Sequence, residues 1–154
     1  MDEEQVVVFD LADEQYGVDI ARVHEIIRLP SVTAVPRAPR FVEGVINLRG
    51  RVIPVVDLRM RLHLQAGERG RSARIVVVEM RGETIGAIVD GVTEVLRVPA
   101  AAVEPPSPVV TTVETSYLRG IAKVDDRLII LLDLDRALTL EEHDQLAAVA
   151  GATA

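Results

Sequence analysis

Short apolar runs recur along this chain, each broken within a few residues by glycine, proline or charge. Val6-Val7-Val8-Phe9, Ile75-Val76-Val77-Val78 and Leu128-Ile129-Ile130-Leu131-Leu132 are too short for helices and rich in branched residues, so they read as strands. The pattern predicts strands over Gln5–Leu11, Tyr16–Ile20, Glu25–Leu29, Gly44–Leu48 and Arg51–Asp57, then a short helix at Leu58–Leu64. It predicts five more over Arg74–Met80, Glu83–Val89, Thr93–Val98, Gly120–Val124 and Arg127–Asp133, with a short helix beginning near Leu134. Ala21–Ile27 fits helical spacing as well as a strand. Thr139, with Glu142 three residues on, reads as the cap of a C-terminal helix over 140–150.

The pattern is duplicated. Val6–Pro30 aligns with Ile75–Pro99 at an offset of 69, placing Gly17 on Gly86, Glu25 on Glu94 and Pro30 on Pro99. Phe41–Leu62 aligns with Tyr117–Leu138 at an offset of 76, placing Gly44 on Gly120, Arg51 on Arg127 and Asp57 on Asp133. Two blocks matched in the same order make a duplicated unit of about five strands.

Short strands without crossover helices between them call for antiparallel pairing. Closing each set into a small barrel fills its interior and limits its edges. The expected fold is all-β: two SH3-like five-stranded β-barrels related by the repeat and packed together, with a short helix after each and a C-terminal helix. The expected division is one body of residues 1–154. Subdomain 1 would take about 15–70 and subdomain 2 about 73–138, completed by the N-terminal strand 5–11 and the helix 140–150. Leu128–Leu132 and most of Val52–Val56 are apolar on both faces, so each must be covered on both sides. Pro54 lacks an N–H and is expected at a sheet edge.

Composition narrows the chemistry. Among 154 residues there are 25 Val, 11 Ile and 15 Leu, but two Phe, two Tyr, no Trp and no Cys. Disulfides and thiolate chemistry are excluded, and so are Cys-type metal sites. The net charge of −7 opposes phosphate-neutralising nucleic-acid binding, and the aromatics are too few for a stacking surface. The acidic start, Met1-Asp2-Glu3-Glu4-Gln5, is not a signal peptide, and no apolar run is long enough to span a membrane. A cytoplasmic location is expected.

Catalytic sets are missing from the pattern. His24, His63 and His143 lack partners at ligand spacing, no serine sits in a nucleophile elbow, and no phosphate-binding loop occurs. Asp57 and Asp133 stand at matched strand ends, where an aspartate caps the following helix. A hydrolase using Asp57 or Asp90 is the weak enzymatic alternative. What remains is surface, and its strongest local feature is Gly44-Val45-Ile46-Asn47-Leu48-Arg49-Gly50. The matching turn, Asp125-Asp126, shows that a hairpin here needs no arginine, so Arg49 departs from the repeat.

At these residues the sequence resembles the CheW-like family of bacterial chemotaxis coupling proteins. The resemblance is carried by Glu14–Ile20, Phe41–Gly50, Val52–Arg59, Ile88–Val92 and Tyr117–Gly120, and covers about Gln5–Leu146. It implies a scaffold with no enzymatic activity and no cofactor or metal. Such a scaffold links methyl-accepting chemoreceptors to the histidine kinase CheA and is associated with membrane receptor arrays. The resemblance assigns receptor binding to Glu25 and Arg49, with Ile20, Val23 and Ile26 as an apolar wall. It assigns kinase binding to Val32, Thr33 and Val35, which would meet the kinase's own CheW-like regulatory domain. A second contact with the kinase would lie near Val109. Two alternatives stay within the same family: a coupling protein of a non-flagellar pathway such as pilus motility, or an isolated CheA regulatory domain.

Overall fold

A computed structural model describes residues 3–62, 64, 70–105, 117–137, 142, 144–146 and 148–149. The elements run β1 (Glu3–Leu11), β2 (Glu14–Asp19), a 3-10 turn (Ile20–Arg22), β3 (Val23–Arg28), β4 (Val42–Leu48), β5 (Arg51–Asp57) and helix α1 (Leu58–Arg61). They continue with β6 (Arg74–Met80), β7 (Glu83–Val89), β8 (Gly91–Pro99), a 3-10 turn (Ala100–Ala102), β9 (Val103–Glu104), β10 (Leu118–Val124), β11 (Arg127–Leu132) and a 3-10 turn (Leu134–Arg136). The ambiguous stretch resolves as turn, then strand. Asp19 ends β2 because its carboxylate accepts the Ala21 N–H at 2.9 Å, and the chain re-enters a strand at Val23.

The strands form a six-stranded sheet, β8-β1-β2-β11-β10-β9, and a five-stranded sheet, β3-β6-β7-β5-β4. Each sheet therefore takes the first two strands of one repeat and the last three of the other, and the short β9 makes a sixth strand in one of them, one more than the five expected. The strands are shared differently from the expected division at about residues 70–73. The cause lies between the second and third strands of each repeat. Asp90 alone separates β7 from β8, and a three-residue turn separates β2 from β3. One residue cannot make a hairpin, so after β7 the chain crosses into the other sheet; after β2 the 3-10 turn carries it across.

Register follows the repeat in detail. Val6 pairs with Leu96 as Ile75 pairs with Ile27, and Val8 pairs with Glu94 as Val77 pairs with Glu25. The expectation of wholly antiparallel pairing needs one correction: β2 and β11 run parallel, as do β7 and β5, with Gly17 opposite Leu131 and Gly86 opposite Val55. Pro54 also departs from expectation, since β5 is interior, between β7 and β4. Counting from the closing pair Leu48–Arg51, Pro54 occupies a non-hydrogen-bonded position opposite Val45. Its nitrogen faces β7, where the parallel ladder begins only at Val55. In the other sheet, Ile130 at the matching place does pair, with Tyr16.

Alternation along the strands builds three apolar clusters. Val6, Val8, Ile129 and Leu131 fill the interior of the six-stranded barrel, and Ile53, Val55, Ile75 and Val77 fill that of the five-stranded one. The opposite faces of the same strands, including Val7, Phe9, Val56, Val76, Val78 and Leu132, meet in one central cluster between the sheets. Strands apolar on both faces are thus covered on both faces, as the pattern required. Asp57 and Asp133 cap their helical turns, accepting from Met60 and Asp135 N–H groups at 3.3 and 3.1 Å. Of the C-terminal segment, residues 142, 144–146 and 148–149 are helical, and Leu146 and Val149 join the central cluster. Thr139 lies outside the described residues.

Candidate interaction surface

The site grows from the β4–β5 hairpin. Asn47 accepts the Gly50 N–H at 2.8 Å, and Arg49 and Gly50 form the turn with φ of 51° and 83°. Left-handed backbone is uncommon for a side-chain-bearing residue and is held here by the surrounding bonds. The turn places the Arg49 guanidinium against Glu25 on β3, with two hydrogen bonds of 2.5 and 2.8 Å. This forked contact closes the mouth of the five-stranded barrel, tying the hairpin tip to the opposite edge strand. The Arg49 hydrogen bond is the largest influence lowering the Glu25 pKa, and Glu25 raises that of Arg49. Arg49 keeps 72% of its side chain exposed, so the pair stabilises the fold little and leaves donors facing outward.

Apolar side chains stand near the pair along the chain. Ile26 follows Glu25 and is 40% exposed; Ile20, at the start of the 3-10 turn, is 36% exposed. Val23 is half-buried against the central cluster. The structure thus joins Glu25 to Arg49 directly; Ile26 is next in β3 but, with Val23, on the strand's other face, and Ile20 lies upstream in the 3-10 turn. Val32, Thr33 and Val35 form a separate stretch. Thr33 is exposed and exchanges two backbone hydrogen bonds of 2.9 Å with Val45. Val32 packs on the five-stranded barrel's interior, and Val35 on the central cluster. Val45 falls on Ile121 in the repeat, and Thr33 bridges Val45 as Glu104 pairs with Ile121. The segment is therefore the counterpart of β9. Val109 lies outside the described residues.

The other barrel carries a related pair that sequence reasoning missed. Glu94, the match of Glu25, is held by Arg127 at 2.8 Å. Arg127 matches Arg51, not Arg49, so the same carboxylate is met by an arginine two positions further along the hairpin. Two further ion pairs join distant segments. Arg59 in α1 binds Asp90, whose carboxylate also accepts the Ala12 N–H at 2.8 Å. Arg22 binds Asp135 through both nitrogens at 3.0 and 2.8 Å, and Asp135 also accepts the Arg81 N–H at 2.9 Å. Asp135 falls on Arg59 and Arg81 on Ala12 in the repeat, while Arg22 falls on Gly91, next to Asp90, so the two clips are related with their charges exchanged. Matching an arginine to an aspartate at one offset was the signal available in the sequence.

Among the described residues no group of three or more His, Cys, Asp or Glu could hold a metal ion, and no helix is long and apolar enough to cross a membrane.

Residues 5–142 match the family model for the CheW-like domain. Chemotaxis protein CheW of Klebsiella aerogenes is 34% identical over 139 residues, covering 90% of this chain and 84% of that one. Protein FrzA of Myxococcus xanthus is 30% identical, covering 88% and 86%. The crystal structure of scaffolding protein TtCheW from Thermoanaerobacter tengcongensis is similar with a TM-score of 0.84 and 42% identity, covering 92% of this chain and 96% of that one.

Proposed function

The chain belongs to the CheW-like domain family, and we propose that, as a chemotaxis scaffold, it couples methyl-accepting chemoreceptors to the histidine kinase CheA without chemistry of its own. Its receptor face is the Glu25–Arg49 pair with Ile20, Val23 and Ile26. The observation that carries this is the forked Glu25–Arg49 pair with its spare arginine donors, on the strand that also exposes Ile26 and just after the turn that exposes Ile20. A receptor's helical hairpin tip offers the complementary stripe of apolar residues with a few polar groups. Arg49 donates to a carboxylate or carbonyl on that hairpin, and Glu25 holds the guanidinium in its direction. The kinase face is the stretch Val32, Thr33 and Val35, with Thr33 exposed and bridged to Val45 of β4. A kinase regulatory domain of the same family meets it barrel to barrel. Val109 contributes to a second contact on the other barrel. The chain then works in the cytoplasm, at membrane receptor arrays.

The test is Arg49→Glu. The position is exposed at a hairpin tip, so the variant folds with its melting temperature changed by only a few degrees. Like charges at Glu25 and position 49 open the pair, and binding to a receptor-tip fragment is lost in a pull-down. Retained affinity would remove Arg49 from the receptor face.

A further inference from the structure

We propose that Asp135 is a positioning residue for the receptor face, holding the Ile20–Arg22 turn, and with it Ile20, in place through Arg22; this rests on the receptor reading above. The 3-10 turn Ile20–Arg22 buries none of its residues. Its own bonds are local: Val23 N–H donates to the Ile20 carbonyl, and Ala21 N–H to Asp19. Neither ties the turn to a distant part of the body. Arg22 does, with a planar fork onto both oxygens of Asp135, 113 residues away. Bidentate arginine–carboxylate pairs fix orientation as well as distance.

Asp135 is itself anchored. Its 3-10 turn is capped by Asp133 and seated by the buried Leu134, and its carboxylate takes a third hydrogen bond from Arg81 N–H in the β6–β7 turn. One carboxylate thus locks the connection between β2 and β3 onto two turns of the second repeat. Ile20 stands two residues before Arg22 in the same turn, so a shift of the fork shifts it; Val23, directly after Arg22, is seated also by its pairing with Val78 and by the central cluster. The charge-exchanged clip, Arg59–Asp90, supplies an internal control. It joins α1 to the β1–β2 turn in the same way, and borders none of the residues assigned to the receptor face.

The experiment measures affinity of the full chain for a fragment of a chemoreceptor's cytoplasmic hairpin tip, with thermal melts of every variant. Arg22→Ala and Asp135→Ala are each expected to weaken binding about tenfold, with the double variant no worse than either single one, because both remove one contact. Arg59→Ala is expected to lower the melting temperature comparably while leaving affinity within about twofold. Unchanged affinity in Asp135→Ala, with Arg49→Glu abolishing binding, overturns the inference alone. So does an equal loss in Arg59→Ala, which would make the effect one of general stability. Retained binding in Arg49→Glu overturns the receptor reading and this inference with it.

Discussion

Replacing Gly44 by alanine tests how the proposed kinase-binding stretch is held. A Cβ at this position would stand 2.1 Å from the Thr33 carbonyl oxygen and 2.8 Å from its carbon. Even a close carbon–oxygen contact needs about 3.3 Å, and the obstacle is backbone, which cannot rotate away as a side chain can. Gly44 also has φ of +153°, which L side chains rarely adopt. Relief requires moving Thr33 off β4 and breaking its two hydrogen bonds with Val45. Two backbone bonds at about 1 kcal/mol each, with about 1–3 kcal/mol of backbone strain, give a loss of about 3–5 kcal/mol. For a chain of this size that lowers the melting temperature by roughly 10 °C. Gly50 separates the two causes. It too has positive φ, 83°, but a Cβ there meets nothing within 4 Å. Gly50→Ala therefore costs conformation alone, about 1 kcal/mol. Thermal unfolding followed by circular dichroism gives the two losses, and amide exchange at Val45 reports whether the bridge has opened. A Gly44→Ala variant no less stable than Gly50→Ala, with Val45 still protected, would refute the reasoning.

Two further outcomes follow from the same geometry. Val32→Asp is expected to weaken binding to the kinase regulatory domain while sparing the receptor fragment; Thr33→Arg, at an exposed position, should do the same with less cost to the fold. A binding assay with both partners checks this, and equal loss of both would mean the barrel has opened. The Asp135 pKa is lowered, first by the Arg81 N–H and also by Arg22. A depressed carboxylate contributes stability that is present above the unfolded value near 4 and is lost as pH falls through the lower folded value. Asp135→Asn should therefore flatten the acid side of a plot of melting temperature against pH below about 5, and an unchanged acid limb would deny that the clip is ionic.

Much of the fold was legible because two regularities reinforce each other. Period-two alternation marked the strands, and the repeat marked them twice, so Arg51–Asp57, Arg74–Met80 and Glu83–Val89 lie where the pattern put them. The exchange of strands between sheets was not legible from alternation, since β2 carries the same apolar pattern whether it leads to its own third strand or pairs with β11. The clue was length: one residue, Asp90, cannot turn a hairpin. Pro54 misled because its missing donor implied an open edge, whereas its nitrogen faces β7 just before that parallel ladder begins. In the site, the roles of Glu25 and Arg49 came from family resemblance; their contact depends on barrel closure, which no local spacing encodes. Arg127 shows the limit well. It meets Glu94 from two positions beyond the aligned place, because the barrel mouth selects a reach and a direction, not a position in the repeat.

Coupling itself is tested most directly by a bridging measurement. An immobilised receptor-tip fragment is mixed with the CheA regulatory domain in the presence and absence of this chain, and retained kinase is quantified. The kinase is expected to be held only when the chain is present, to be lost with Arg49→Glu because the bridge leaves the receptor, and to be lost with Thr33→Arg while the chain itself stays bound. Kinase retained equally without the chain, or displaced by it, would contradict a scaffold that holds both partners at once.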